Sequence, residues 1–226
     1  MLKRCIQGVG LLLLVGILSS CMIHRLIQFK AQLNNVKKYV QFNVPGLLTF
    51  TKPILMPEDL HLITGVDPTE IVSKGDIQTH RYDFHRSEAP HHSLTYTLQF
   101  KAQQLTYIEY PMVLFNVVSL GFALQSLSAI GEAGLPTYGG AWELSDAMSG
   151  LAEKDQLKKD DITTMLGPPT TVERFPSVEY WVYVYAHPTH ENKKQTVRVV
   201  FVVSNTQDRV REVTLILPRT QFKLVL

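Results

Sequence analysis

The sequence predicts an α+β protein of two tandem units, each with helices packed on a three-stranded antiparallel meander sheet. The first observation behind this is a repeat: Asp59-Leu60, Gly65 and Thr69 recur as Asp161-Ile162, Gly167 and Thr171 at an offset of 102. Tyr82, Phe84, Leu98 and Phe100 then match Tyr183, Tyr185, Val199 and Phe201 at 101, and Leu105 and Ile108 match Val210 and Val213 at 105. The extra length falls in Ser204-Asn205-Thr206-Gln207-Asp208, residue types that favour turns. The second observation is that each copy passes from a short helical pattern to three strand patterns. A meander of this kind leaves one apolar face open, so helices are expected to cover it.

Each element has a local reason. Residues 23–39 place Ile23, Leu26, Ile27, Leu33 and Val36 at helical spacing with Lys and Arg between them, which predicts an amphipathic helix. In the first unit a helix is expected over 58–64 and strands over 80–85, 94–101 and 105–110. Residues 112–130 carry no charge; that length could span a bilayer, but Asn116, Ser119, Gln125, Ser126 and Ser128 dilute it and no basic flank is present, so a buried helix is expected. A Gly- and Pro-rich linker over 131–140 leads to a further amphipathic helix over 142–151, with Trp142, Leu144, Ala147, Met148 and Leu151 on one side. In the second unit Asp160 or Asp161 caps a helix whose apolar side is Ile162, Met165 and Leu166. Gly167-Pro168-Pro169 stops it. Strands follow over 180–185, 196–203 and 209–217. The resulting division is 1–20, a signal peptide; 21–44, a tether and first helix; 45–111, the first unit; 112–217, the second; and 218–226, a tail.

Composition limits the function classes. The 226 residues are 45% hydrophobic and 19% charged, with 13 Gly and 12 Pro, which excludes collagen, coiled coil and a mostly disordered chain. The net charge of +2 includes Lys3 and Arg4; without them 20 basic residues face 20 acidic ones. That balance argues against nucleic acid as partner, since binding phosphates needs a basic excess or stripe.

The first 21 residues, MLKRCIQGVGLLLLVGILSSC, have the basic start, apolar middle and small-residue end of a secretory signal. Leu18-Ser19-Ser20-Cys21 resembles the lipobox of bacterial lipoproteins, which implies that Cys21 is acylated and becomes the mature N-terminus. Cys5 and Cys21 are the only cysteines, so the mature body has no thiol for a disulfide, a zinc site or a nucleophile. Residue 22 is Met rather than the Asp that marks inner-membrane retention in such lipoproteins. The expected location is therefore the periplasmic face of the outer membrane, with the membrane as partner through the lipid.

The run Asp161-Ile162-Thr-Thr-Met-Leu166-Gly167-Pro168-Pro169, then Tyr180-Trp181-Val182-Tyr183, then Val199-Val200-Phe201, resembles the SmpA/OmlA (BamE-like) family of small outer-membrane lipoproteins over residues 158–215. The first unit carries the pattern only as Gly65-Val66-Asp67-Pro68, without a Trp. The resemblance implies helices on a three-stranded sheet and an accessory role in an envelope protein complex. Lys158-Lys159-Asp160 stands where the family has a Gly and a small apolar residue, so its contact surface does not carry over. The tandem arrangement is also similar, at the level of fold alone, to the β-lactamase inhibitory proteins, which dock through a double sheet.

Few residues suggest chemistry. His80, His85, His91 and His92 cluster on one strand and the loop after it, and His187 and His190 flank Pro188. No Asp or Glu stands at a metal-motif spacing from them and HExxH is absent, so both sets read as loop and surface residues. There is no Gly-x-Ser-x-Gly and no Gly-rich phosphate loop. No catalytic residue, metal or cofactor is expected. Alternation puts Trp181, Tyr183 and Tyr185 on one face of their strand. That row is either an exposed patch suited to binding a protein or the core face of the sheet. The expected function is a lipid-anchored structural or assembly-accessory module docked on an envelope complex, with a free-standing inhibitor or ligand-binding module as the alternative.

Overall fold

A computed structural model describes residues 22–44, 46–115, 118–133, 141–144, 156–188 and 194–226. The described chain is 44% strand and 29% helix. Helix α1 covers residues 22–33 and is followed by α2 (Val36–Tyr39), β1 (Val40–Val44), β2 (Leu47–Phe50), α3 (Pro57–Thr64) and β3 (Glu70–Lys74). Then come β4 (Ile77–Phe84), a 3-10 turn (Pro90–His92), β5 (Leu94–Lys101), β6 (Gln104–Glu109), α4 (Met112–Phe115) and α5 (Leu120–Glu132). The second half holds β7 (Ala141–Leu144), α6 (Lys159–Leu166), β8 (Thr171–Arg174), β9 (Val178–Pro188), β10 (Lys194–Ser204), β11 (Val210–Ile216) and β12 (Gln221–Val225).

These strands form two six-stranded sheets, ordered β1-β2-β6-β5-β4-β3 and β7-β12-β11-β10-β9-β8. The expectation of two units with helices on three-stranded sheets is therefore overturned. Each meander has a fourth strand on its leading edge, β3 or β8, and two more beyond its last strand. In the first sheet those two are β2 and β1; in the second they are β12 and β7, and β7 runs parallel to β12. What helices were expected to cover is covered mainly by the opposite sheet, so that one cluster of buried side chains draws on both. The segment 218–226, expected as a tail, is largely strand β12. Of 142–151, expected as a helix, the described part is strand β7, and 145–151 lie outside the described residues.

Helix ends explain the other departures. The expected helix over 23–39 breaks at Asn34-Asn35, residues whose side chains bond locally in competition with the helix; the Asn35 amide donates to Ala31 O at 3.2 Å. The expected helix over 112–130 is split into α4 and α5, because the Ser119 hydroxyl accepts the Phe122 N–H at 3.0 Å as an N-cap. Lys30 of α1 donates to Ala133 O at the far end of α5. Gly131 lets the helices approach closely: a Cβ there would lie 2.6 Å from Asn34 N.

The short helices α3 and α6 start alike. Asp59 Oδ2 accepts the Met56 N–H at 2.9 Å and Asp161 Oδ2 accepts the Lys158 N–H at 2.8 Å, each holding the first turn. Only Asp59 is also buried and gripped from two sides by Arg25, whose Nε and Nη2 donate at 2.8 and 2.7 Å. Asp59→Ala should lower stability by about 3 kcal/mol and Asp161→Ala by about 1 kcal/mol, compared by urea denaturation of the two variants.

The register of the repeat is fixed by hydrogen bonds. Thr69 donates its N–H to Arg81 O at 2.7 Å and Thr170 donates to Val182 O at 2.8 Å. Their hydroxyls accept from Asp83 N at 3.0 Å and Val184 N at 3.1 Å. Thr69 therefore corresponds to Thr170, not to Thr171 as the sequence match suggests. Tyr82 faces Tyr96 while Tyr183 faces Val199, so β5 and β10 correspond at an offset of 103. Leu98 matches Phe201 and Phe100 matches Val203, rather than Val199 and Phe201. Both meanders then bulge at one equivalent place, between Gln99 and Phe100 and between Val202 and Val203. A bulge repeated in this way is a feature of the unit rather than an irregularity.

Candidate functional site

Residues 101 apart also meet each other. His85 N donates to Ala186 O at 2.8 Å, and Ala186 N donates to His85 O at 2.8 Å. A reciprocal antiparallel pair has a local two-fold axis between its members. Because the members are repeat equivalents, that axis relates the two units. The side chains one residue further on obey it. Arg86 Nη2 donates to Pro168 O at 2.7 Å, while His187 Nε2 bonds Asp67 O at 2.5 Å. Each unit thus reaches into the turn that follows the other's short helix. Arg86 also donates from Nη1 to Leu166 O at 2.5 Å, and His187 Nδ1 bonds Asp83 O at 2.8 Å. Both of the histidine's partners are backbone carbonyls, one from each side of the junction turn. Both side chains are buried.

Beside this junction the inner faces of the two sheets line two adjacent apolar chambers of about 340 and 380 Å³. The chambers share Leu94, Tyr96, Tyr110, Val199 and Leu215. Leu60 and Thr64 of α3 close one side of the first; α5, through Phe122 and Leu127, covers the second. Protein interiors hold few voids larger than a water molecule, and ligand pockets run to roughly 300–1,000 Å³; each chamber falls in the second range. Among the described residues no Asp, Glu, Lys, Arg or His lines either chamber. The polar groups are hydroxyls. Burial pushes Tyr110 and Tyr185 up to about 12 and pushes Tyr96 higher still, with Tyr110 and Tyr185 adding to the effect on Tyr96. All three are therefore protonated donors at any physiological pH. The Tyr185 hydroxyl and the Ser126 hydroxyl are buried with no hydrogen-bond partner among the described residues.

The row Trp181, Tyr183 and Tyr185 faces inward, with exposures of 6, 0 and 1%. This corrects its reading as an exposed protein-binding patch: the second sheet turns this face to the core. Tyr183 Oη donates to Gly167 O at 3.0 Å and Trp181 Nε1 donates to Glu179 Oε2 at 2.9 Å. That indole bond, followed by the one from Lys159, holds the Glu179 carboxyl below its usual range. Among the described residues the large apolar side chains that face solvent are Ile23 and Ile27 on α1, Ile71 and Val72 on edge strand β3, Met112 and Leu120 at the starts of α4 and α5, and Phe175 with Tyr180, in edge-to-face contact at 5.3 Å.

The histidines do not converge. Among the described residues no three His, Cys, Asp or Glu side chains could hold a metal ion; His190 and the lipidation candidate Cys21 lie outside them. His92 packs on Gly167 and His91 is exposed. His80 is buried with its ring 4.7 Å from that of Phe100, and desolvation lowers its pKa from 6.5. The folded protein then holds His80 neutral while the unfolded chain takes up a proton below about pH 6.5. Stability contributed here is complete above that pH and declines as pH falls towards the folded pKa. His80→Phe should flatten the fall in unfolding midpoint between pH 7 and 5, measured on both proteins.

Sequence reasoning missed Arg86, His187 as a junction residue, and the chambers. The 101 spacing of Thr69 and Thr170 was available as a signal for the first two, since the true register makes Arg86 and His187 a pair. Comparison with known protein families, curated proteins and solved structures gives no match.

Proposed function

We propose that the protein is a lipid-anchored envelope protein, held through Cys21 at the periplasmic face of a bacterial outer membrane, whose body is a non-enzymatic binding module for an apolar ligand. The observation that carries the binding reading is the pair of chambers between the sheets: each ligand-sized, walled by aliphatic and aromatic side chains, and lined by no charged group among the described residues. Of the functions expected from the sequence, the ligand-binding alternative gains most from this, because the aromatic row offered for protein docking is buried. The anchoring rests on the layout of residues 1–21. No helix among the described residues is long and apolar enough to cross a membrane.

The binding reading is tested by photolabelling the full-length chain in phosphatidylcholine vesicles with a diazirine-bearing alkane. Labels should map to Leu98, Ile108 and Leu215; labels confined to surface residues would overturn it. Anchoring is tested separately. Cys21→Ser should accumulate as unprocessed, non-acylated protein, and a mature-sized band that still enters the detergent phase would end the lipobox reading.

A second reading, an accessory module on an envelope complex, is favoured by the apolar exposure of Ile71 and Val72 on edge strand β3. Exposed strand edges pair readily with other chains. Loss of a co-purifying envelope protein in an Ile71→Lys, Val72→Lys variant would support it.

A further inference from the structure

We infer that β3 docks a second copy of this chain, the two β3 strands pairing antiparallel about a two-fold axis at Val72. The inference goes beyond the binding reading and depends on neither the chambers nor the lipid. It names one occupant for the edge that the second reading leaves to an envelope protein.

The edge is open and its backbone polarity is fixed. Among the described residues β3 ends its sheet, pairs with β4 alone and is exposed at every position. At one end Thr69 N donates to Arg81 O while Glu70 pairs with the same Arg81, a bulge in which two residues oppose one. At the other end the two-residue loop Gly75-Asp76 joins Lys74 to its partner Ile77, the tight connection of a hairpin. Both ends put Glu70, Val72 and Lys74 in hydrogen-bonded pairs with β4. The alternation of an antiparallel ladder then turns the N–H and C=O groups of Ile71 and Ser73 outward, where they can template one more strand.

The side chains select another β3 as that strand. With Val72 opposite Val72 of the second copy, Ile71 meets Ser73 and Ser73 meets Ile71 in reciprocal hydrogen-bonded pairs, so the outward groups answer each other. Glu70 then stands opposite Lys74, and Lys74 opposite Glu70, in the non-hydrogen-bonded pairs where side chains lie closest; opposite charges so placed attract. Glu70 also lies 3.8 Å from Arg81 in its own chain, so it sits between two cations. The exposed apolar residues are covered as well. Val72, 54% exposed, meets its own copy on the face shared with Thr79, and Ile71, 49% exposed, lies diagonal to its own copy on the face shared with His80. An axis one residue away loses the charge pairing: at Ser73 it would set Glu70 against Asp76, and at Ile71 it would set Glu70 against Val72 and Lys74 against Pro68.

The repeat supplies a contrast. β8 is the equivalent edge of the second sheet, and the register in which Thr69 corresponds to Thr170 makes Glu173 the counterpart of Val72. The matching dimer through β8 would bring Glu173 against Glu173 of the second copy, and like charges directly opposite are destabilising. A charge at the middle of an edge strand is one way of keeping it unpaired. β3 carries its charges at the two ends instead, with opposite signs, where a second copy complements them. The contact is isologous and therefore closes at two copies.

The test is sedimentation equilibrium of the full-length chain in detergent micelles, where a reversible dimer is expected. Glu70→Lys and Lys74→Glu should each weaken association about tenfold, because two charge pairs become repulsive at once. An equimolar mixture of the two variants should recover it as a mixed dimer, which also shows that both are folded. Glu173→Lys on β8 should change nothing. As a separate measurement, Val72→Cys should form an interchain disulfide under mild oxidation, since its Cα atoms would lie about 4.5 Å apart across the axis, whereas Glu70→Cys should stay at the level of the unchanged chain. A monomer at every concentration, a dimer indifferent to both charge reversals, or equal cross-linking at positions 70 and 72 would overturn the inference. So would a monomer that co-purifies with an envelope protein lost in the Ile71→Lys, Val72→Lys variant, which would give the edge to that protein.

Discussion

Arg86→Ala should lower the stability of the protein by about 4 kcal/mol, within the range for removing one side of a buried charged network. The guanidinium is fully buried. It donates to Leu166 O, Pro168 O and, at 3.5 Å, to the Thr170 hydroxyl, and it lies 5.0 Å from the Tyr183 ring centre. Its only carboxylate neighbour at short range among the described residues is the half-exposed Glu88, at 3.4 Å. Truncation leaves two carbonyls without donors and opens a gap beneath two tyrosines. Arg86→Lys should recover less than half of the loss, because one ammonium does not reproduce a planar fork that reaches two carbonyls. Urea denaturation followed by tryptophan fluorescence checks both variants. Equal midpoints for Arg86→Lys and the unchanged protein would show that charge alone, not the fork, matters there.

Gly167→Val should lose about as much, about 4 kcal/mol, by a different route. Gly167 has φ +70° and ψ −161°, a region that other residues essentially do not enter. A Cβ there would also lie 2.5 Å from the His92 ring, adding overpacking to strain. Its repeat partner Gly65 has φ +70° and ψ 11°, the ordinary left-handed basin, and its Cβ would meet the Arg219 side chain, 2.6 Å away at Cγ. Both contacts would have to shift, so the backbone decides: Val is strained in the left-handed basin but can enter it, whereas the Gly167 region is closed to it. Gly65→Val should therefore be milder, at about 2 kcal/mol. The sequence alone suggests equal effects, since both glycines follow a short helix; the difference lies in ψ, which residue type does not reveal. A neutral Gly65→Val would mean that the first unit tolerates a different turn.

The strands that carry the meanders were legible because 94–101, 180–185 and 196–203 alternate or run apolar, and the stops at Gly65 and Gly167 were legible because helix ends have a local chemistry. The outer strands were not. β3 is exposed along its whole length and reads Glu-Ile-Val-Ser-Lys, β7 pairs parallel with a strand some 80 residues away, and β12 follows a Pro-Arg-Thr turn that looks like the start of a tail. Their place is decided by partners that spacing does not encode, and so the sheets came out twice as wide as expected. The aromatic row shows the same limit in smaller form. Alternation groups Trp181, Tyr183 and Tyr185 on a face, but only the opposing sheet decides that the face is inward. The chambers have no linear signature, because their walls are drawn from both sheets and four helices. Tyr185 was singled out in the sequence as one of an aromatic row, and only the fold places it in a chamber wall with Tyr96 and Tyr110.

The exchange of contacts across the central pair bears on how the chain reaches its fold. The turn after α3 is completed by His187, and the Gly65 carbonyl by the Gln195 amide, which donates at 2.9 Å. These partners are 120 and 130 residues downstream. Synthesis delivers the N-terminal half first, so the first sheet emerges without the groups that finish its own helix turn and without the surface that covers its inner face. It stays open until β9 and β10 arrive. Contacts at such separation are closed late and slowly, and in the interval Phe100, Leu98 and Tyr96 face outward, the state in which a half-made chain is most exposed to aggregation and to proteases. The two units are similar in design, yet each leaves a turn for the other to complete.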